Sequence, residues 1–184
     1  MRNLSEEDYK TRHYEFWKDD PYEYTGTYDK EYRIKKGDFT ISIDWGQGDF
    51  IGLLSYEGND KEVKIPDNLG INYIGNDAFS YNLELESVEI PDGVCNINSE
   101  AFSECENLKT VIFPQTLETI GYQAFDYCFS IKEFSFPENL TYIGDEAFAQ
   151  CDSLENINFG NNFKTSNVVY MNSLFFNTHR KSWK

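Results

Sequence analysis

One phrase occurs four times in this chain at a constant interval. The copies read IGNDAF, INSEAF, IGYQAF and IGDEAF, and they start at Ile74, Ile97, Ile120 and Ile143. The interval is 23 residues in each case (97 − 74, 120 − 97 and 143 − 120). A period that holds without slippage is typical of a repeat architecture, because each unit must stack on its neighbours to bury its apolar residues.

Alignment of the four copies shows which positions carry the core. With the first Ile as position 0, Ala occupies +4, Phe occupies +5, Leu or Ile occupies +11, and Pro follows at +17 in three copies. Apolar residues at +14 and +16 alternate with polar ones, which predicts a short strand with one buried face. Proline has no amide donor, so it should end that strand. We expect a core that includes the Phe column and, from the strands, Val111, Phe113, Phe134 and Phe136.

The full pattern, I-G-x-x-A-F-x-x-C-x-x-L-x-x-I-x-I-P-x-x-L, resembles the BspA-like class of leucine-rich repeats over residues 39–163. The resemblance implies an α/β repeat solenoid, wound as a right-handed superhelix. Short parallel strands at +12 to +18 would line its concave face, with short irregular or 3₁₀ segments on the convex side. Such domains are commonly interaction modules, often on bacterial or protist cell surfaces.

The repeats divide the chain into four predicted parts. These are an N-terminal helix and linker (1–38), an irregular first repeat (39–73), four regular repeats (74–163), and a C-terminal cap with a basic tail (164–184). Ser5 is a good helix N-cap, and Pro21 should end the helix. Between them, apolar residues recur at helical spacing: Tyr9, His13, Phe16 and Trp17. This helix would cap the open end of the solenoid or bind a partner.

The segments beside the regular repeats are less clearly patterned. Residues 22–36 suit a loop or an edge strand, a β-rich stretch starts at Gly37, and two glycines at 46 and 48 indicate a turn. Pro66 precedes Ile74 by eight residues, whereas Pro91 precedes Ile97 by six, which predicts a longer first coil. The apolar residues of the tail suit a C-terminal cap, either helical or extended.

The chain is strongly acidic, with a formal net charge of −16. Residues 74–163 hold 16 acids and two lysines, whereas the tail from residue 164 holds four bases and no acid. Such a surface repels nucleic acid and anionic membranes and favours basic partners. The same charge also keeps an open solenoid soluble, which favours a monomer.

Two features bear on location. No apolar stretch approaches the ~20 residues of a membrane span. The opening MRNLSEEDYK has no apolar segment of the kind found in secretory signals. The sequence therefore predicts a cytoplasmic protein, or an extracellular or cell-surface one if a leader precedes it.

A search for catalytic, cofactor and metal motifs gives none. The two histidines, His13 and His179, lie far apart in the sequence and outside metal-ligand spacing with a cysteine. Cys105, Cys128 and Cys151 repeat with the period, so they should stack, with Asn82 completing the column at +8. We expect buried, reduced thiols; zinc is the alternative, but a fourth ligand is missing. Cys95 lies at +21 and should be partly exposed.

Two surfaces compete for a partner. The concave candidates are Glu62, Lys64, Glu89, Asp92, Thr110, Ile112, Glu133, Ser135, Glu138 and Asn158. They form a polar, acid-rich sheet around one outward apolar residue, an arrangement that suits a protein partner. The convex candidates are Tyr81, Leu83, Tyr122, Tyr127 and Phe129.

Three functions follow from these features. The first is a non-enzymatic protein-interaction module that binds a basic protein through its repeat surface. The second is an inhibitor or immunity-type protein that neutralises a basic toxin or nuclease. The third is a fragment of a cell-surface adhesin.

Overall fold

The computed structural model describes residues 31–44 and 50–159. These residues form twelve strands and one 3₁₀ turn, Asp67–Leu69. The strands are β1 (Glu31–Lys36), β2 (Phe39–Asp44), β3 (Phe50–Tyr56), β4 (Glu62–Lys64), β5 (Tyr73–Ile74), β6 (Ser87–Glu89), β7 (Asn96–Ile97), β8 (Thr110–Ile112), β9 (Thr119–Ile120), β10 (Glu133–Phe136), β11 (Tyr142–Ile143) and β12 (Asn156–Phe159).

The strands form a repeat solenoid of about five turns with two sets of parallel strands. One set comprises the sheets β4-β6-β8 and β10-β12; we call it the strand face. The other is a seven-stranded sheet in the order β1-β2-β3-β5-β7-β9-β11, in which β1, β2 and β3 pair antiparallel. The 23-residue period appears directly in the register, since Val88 pairs with Val111 and Ile97 with Ile120.

The Phe column is the centre of the core, as the sequence predicts. Phe79, Phe102, Phe125 and Phe148 are each at most 1% exposed. Their rings stack from coil to coil with centroid separations of 4.8, 5.1 and 5.8 Å. Identical positions in successive coils fall in identical environments, so one aromatic residue per repeat gives a continuous stack.

The small residue at +4 has the predicted role of allowing close backbone approach. The amides of Phe79, Phe102 and Phe125 donate to the carbonyl of the Ala at +4 in the next coil, at 2.8–2.9 Å. Amides at +3 and +7 likewise donate to carbonyls at +2 and +6 of the next coil. The residues at +3 and +7 all have positive φ, namely Asp77, Tyr81, Glu100, Glu104, Gln123, Tyr127, Glu146 and Gln150. We call the segments 76–81, 99–104, 122–127 and 145–150 the αL face.

Glycine at +1 belongs to the same close approach. A Cβ on Gly144 would lie 2.6 Å from the carbonyl carbon of Gly121 and from the amide nitrogen of Tyr122. Both are backbone atoms, so they cannot give way as the end of a side chain could. Glycine follows the first isoleucine of the phrase because the backbones of neighbouring coils are in contact there.

The proline column ends the strands, as the sequence predicts. Each proline carbonyl then accepts a hydrogen bond from the amide three residues later, at 3.1–3.4 Å, in the pairs Leu69 to Pro66, Val94 to Pro91, Leu117 to Pro114 and Leu140 to Pro137. This turn carries the chain from the strand face to the second sheet.

The prediction of a longer first coil is confirmed on the strand face, where Val63 pairs with Val88 at an interval of 25 residues instead of 23. The Tyr56 amide donates to the Ala78 carbonyl, and its ring lies 5.2 Å from that of Phe79, so Tyr56 occupies the Phe position one period earlier. The two extra residues before Ile74 are offset, because Tyr56 precedes Glu62 by six residues whereas Phe79 precedes Ser87 by eight. The interval is therefore 23 residues at the Phe column and 25 residues on the strand face.

Other predictions need correction. The described ranges contain no α-helix, so the helical part of the α/β class is not supported; the N-terminal helix, the turn at 46–48 and the C-terminal cap lie outside them. The predicted edge strand within 22–36 is present from Glu31, as β1. The αL face, which carries the predicted convex residues, is built of turns as expected, and the coils have in addition a second parallel sheet that the sequence did not predict, β5-β7-β9-β11.

The strand face is not one continuous sheet, and Val111 is only half-buried rather than fully buried. The break falls between β8 and β10, where the residues at +16 change from Ile65 and Ile90 to Phe113. The Phe113 ring lies 6.1 and 5.6 Å from those of Phe134 and Phe136.

The thiol column is buried and its cysteines are free, as predicted. The Sγ atoms of Cys105, Cys128 and Cys151 donate to the carbonyls of Phe79, Phe102 and Phe125 in the preceding coil, at 3.1–3.2 Å. Burial raises the pKa of Cys105 to about 12 and the pKa values of the other two in the same direction. Cys95 is half-buried.

We expect native thiol labelling to distinguish Cys95 from this column. An alkylating reagent at neutral pH should modify Cys95 first, because buried thiols are neither ionised nor accessible. In denaturant all four cysteines should react, and mass spectrometry of the alkylated peptides measures both results. A Cys105–Cys128 disulfide in a non-reducing peptide map would contradict the assignment.

Candidate functional site

The strand face brings the predicted concave residues together. In register across β4, β6 and β8 lie Lys64, Glu89 and Ile112, and beside them Glu62, Ser87 and Thr110. Ser135 pairs with Asn158 across β10 and β12, with Glu133 at the start of β10. Asp92 and Glu138 each follow the proline that ends a strand. Nine of the ten predicted residues are exposed, and Glu89 is half-buried.

Much of the charge on this face is paired within the protein. Lys64 Nζ donates to Glu89 Oε1 at 2.6 Å. Glu86 lies between two lysines, accepting from Lys61 Nζ at 2.8 Å and from Lys109 Nζ. The hydrogen bond from Lys109, and then that from Lys61, lowers the pKa of Glu86 to about 2. This face is therefore less able to attract a basic partner than its acid content suggests.

Ile112 is the apolar centre of the strand face. Its side chain is 53% exposed on β8, next to the break between the two sheets. The half-buried Val111 precedes it on the same strand. An exposed apolar side chain surrounded by polar residues is the arrangement found at the centre of protein interfaces.

The αL face carries the second candidate surface. Tyr81, Tyr122 and Tyr127 are exposed there, and the nearby Leu83 is exposed while Phe129 is half-buried. The Tyr127 and Phe129 rings meet edge to face, 5.7 Å apart. The predicted convex aromatic residues therefore do reach solvent, and Tyr81 is the most exposed at 67%.

Asp126 is an unusual residue of the αL face. It is 6% exposed, and its Oδ1 atom is buried without a hydrogen-bond partner. The other residues at +6 are Ser80, Ser103 and Ala149. The pKa of Asp126 is raised to about 6, mainly by burial and then by the charges of Glu146, Glu104 and Glu100, against a lowering hydrogen bond from the Tyr127 amide.

Sequence reasoning missed two features of these surfaces. The first is the charged column at +12, which holds Lys61, Glu86, Lys109, Lys132 and Glu155. Alignment of that position would have found it. The second is Asp126, whose burial has no clear signal in sequence because acids occur all along the chain.

Nothing in the described part of the chain indicates metal binding or a membrane span. Across residues 31–44 and 50–159, no group of three or more histidines, cysteines and acids is placed to hold a metal ion. Over the same residues, no helix has the length and apolar character needed to cross a membrane.

Solved structures of bacterial leucine-rich repeat proteins share this fold. The T. pallidum leucine-rich repeat protein is 26% identical, with a TM-score of 0.62 over 68% of this chain and 64% of its own. One from Bacteroides ovatus is 28% identical, with a TM-score of 0.60 over 85% of this chain and 43% of its own. A leucine rich cell surface protein from Faecalibacterium prausnitzii is 22% identical, with a TM-score of 0.59 over 73% of this chain and 41% of its own.

The chain spans less than two thirds of the length of each of these structures. A search of curated proteins found no significant match. The family model for the BspA type leucine rich repeat region matches six copies over residues 55–179, which extends the repeats into the predicted C-terminal cap. That match covers more than half of the sequence, so the chain belongs to the BspA-type leucine-rich repeat family.

Proposed function

We propose that this protein is a non-enzymatic module that binds a protein partner through the strand face. Leucine-rich repeat proteins are generally interaction or surface proteins, and their fold is typically non-enzymatic. The observation that carries the proposal is Ile112, an apolar side chain held in the open on a rigid strand among polar neighbours. Burial of the Ile112 side chain would stabilise a complex with a partner, because the transfer of apolar surface out of water is favourable.

The face also limits what the partner can be. Its columns at +12, +13, +15 and +18 hold eight acids and four lysines, so it has a moderate negative charge. Nucleic acid would be repelled by this charge. A partner with a basic rim around an apolar contact fits best, because complementary charge accelerates association and excludes competitors.

The excess of acids also supports a second function, that of an inhibitor or immunity-type protein. Residues 50–159 hold twenty acids and four lysines, which would suit an inhibitor that neutralises a basic toxin or nuclease.

The third function, a fragment of a cell-surface adhesin, depends on where the protein is located. The cytoplasmic prediction has no support from the comparisons, whereas one related structure is named a cell surface protein. We therefore favour a surface location.

Substitutions on the strand face test the proposal once a partner has been isolated from the source organism. Reversal of Glu89, Glu133 and Glu138 to Lys should slow association roughly tenfold and flatten its salt dependence, because steering is lost. Ile112→Ala should instead raise the dissociation rate roughly tenfold, since a central apolar contact is removed while steering remains. Surface-binding kinetics at two salt concentrations separate the two effects.

A matched control has the same change in net charge elsewhere on the coils. Reversal of Glu84, Glu106 and Glu118, all exposed and outside the strands of the strand face, should leave both rates within about twofold if contact is local. Equal slowing by both triple variants would show that only net charge matters. Unchanged kinetics for the first triple and for Ile112→Ala would rule out the strand face.

A further inference from the structure

The lysines of the coils are confined to one side. Within residues 50–159 the four bases are Lys61, Lys64, Lys109 and Lys132, and all occupy columns +12 and +15 of the strand face. The αL face, by contrast, holds six acids and no base in its four segments, namely Asp77, Glu100, Glu104, Asp126, Asp145 and Glu146. Within residues 50–159 the αL face therefore carries acids with no base among them, whereas the acids of the strand face are offset by lysines.

Aromatic rings alternate with these acids. Along column +7 the residues run Tyr81, Glu104, Tyr127. Glu104 lies close enough to the Tyr81 hydroxyl to raise its pKa, and the Tyr122 hydroxyl lies 3.5 Å from Glu146 Oε2. An exposed tyrosine ring beside a carboxylate can bind a guanidinium group in two ways. The face of the ring makes a cation–π contact, and the carboxylate makes a charge-assisted hydrogen bond.

Asp126 provides an independent indication of a cationic ligand. Its carboxylate is more than nine-tenths buried, its Oδ1 atom has no partner, and Glu100, Glu104 and Glu146 all repel its charge. Tyr122, Cys128 and Cys151 also face it, and none of these brings a positive charge. A cation held over the face would relieve this repulsion, because opposite charges favour the ionised form.

We propose that the αL face binds an arginine-bearing basic segment of a partner protein. Guanidinium groups would stack on Tyr81 and Tyr127 and pair with Glu100, Glu104 and Glu146. Arginine fits better than lysine, because its planar group can stack on a ring and bond to a carboxylate at the same time. A metal ion is the weaker fit, since the described residues offer no group of ligands placed for one. This site is separate from the strand face.

Titration with synthetic peptides tests the proposal. The probes are an oligo-arginine and an oligo-lysine peptide of equal length, added to the full chain at physiological salt and followed by calorimetry. The triple variant Glu100→Gln, Glu104→Gln and Glu146→Gln should weaken oligo-arginine binding at least about tenfold. The matched triple Glu62→Gln, Glu133→Gln and Glu138→Gln removes the same charge from the strand face and should weaken it less than about threefold. Equal losses would overturn the proposal.

Two further measurements test the role of the tyrosines and of Asp126. The double variant Tyr81→Ala and Tyr127→Ala should abolish the preference for arginine over lysine, and both residues are exposed enough for the fold to survive. Saturating oligo-arginine should lower the pH midpoint of the Asp126 carboxyl, read from its carbon chemical shift by NMR. An unmoved midpoint, or the absence of any arginine preference in the unmodified chain, would overturn the proposal. Binding of the peptide to a self-associated form of the protein would do the same.

Discussion

Replacement of Phe125 by alanine is expected to lower the free energy of unfolding by ~3–5 kcal/mol, the usual cost of deleting a buried phenylalanine. Phe125 is fully buried, and its ring centroid lies 5.1–5.9 Å from those of Phe102, Phe113, Phe134 and Phe148. The cavity would open in the middle of the stack, where neighbours on both sides are fixed by backbone hydrogen bonds and cannot collapse into it. Urea denaturation followed by circular dichroism measures the loss.

Phe129→Ala is the matched control. Phe129 is half-buried and contacts Tyr127 at the surface of the same coil. Its loss should cost less, about 1.5 kcal/mol, because part of the side chain stays in water and no enclosed cavity forms inside the stack. Equal costs for the two variants would show that the Phe column is not the core of the solenoid.

Stability is expected to fall as the pH rises from about 4 to 6, because of Asp126. The pKa of Asp126 rises from its ordinary value of 3.8 to about 6 in the folded chain, mainly through burial. The folded state therefore keeps a proton that the unfolded state releases, and stability decreases wherever the folded state binds more protons. The difference between a pKa of 3.8 and one of about 6 corresponds to at most about 3 kcal/mol at neutral pH.

Asp126→Asn should remove this dependence and raise stability at pH 7 by ~1–3 kcal/mol, since a neutral side chain no longer has to be ionised in the core. The measurement is the denaturation midpoint from pH 3.5 to 7.5 for both proteins. Glu86→Gln is a control of opposite sign: the lowered pKa of Glu86 makes its contribution present above its ordinary value of 4.5 and lost as the pH falls towards about 2. A wild-type midpoint that stays constant or rises between pH 4 and 6 would contradict the account of Asp126.

The periodic part of the fold was predictable because the period places equivalent residues in equivalent environments. Ala78 and Phe79 illustrate this, since four aligned copies suffice to identify a small residue at the backbone contact and an aromatic one in the core. The exposure of Ile112 was predictable for the same reason, from its place between two core positions on a strand. The burial of the cysteine column followed likewise from its repetition.

Features that depend on two coils together were not predictable. The strands β5, β7, β9 and β11 have two residues each, too few to show an alternating pattern. Positive φ at positions such as Glu100 and Tyr127 had no glycine to indicate it. The half-exposure of Val111 occurs beside the break between β8 and β10, a feature that involves two neighbouring coils. The charge asymmetry became visible only when the columns were placed on faces.

Site-specific photo-crosslinking tests the central claim, that the strand face binds a protein. A photoreactive amino acid at position 112 would be activated in a lysate or on cells of the source organism, with the same residue at the exposed position 118 as control. The account predicts one dominant protein adduct at position 112, competed away by excess unlabelled protein and absent at position 118. No adduct at position 112, or the same adducts at both positions, would contradict it.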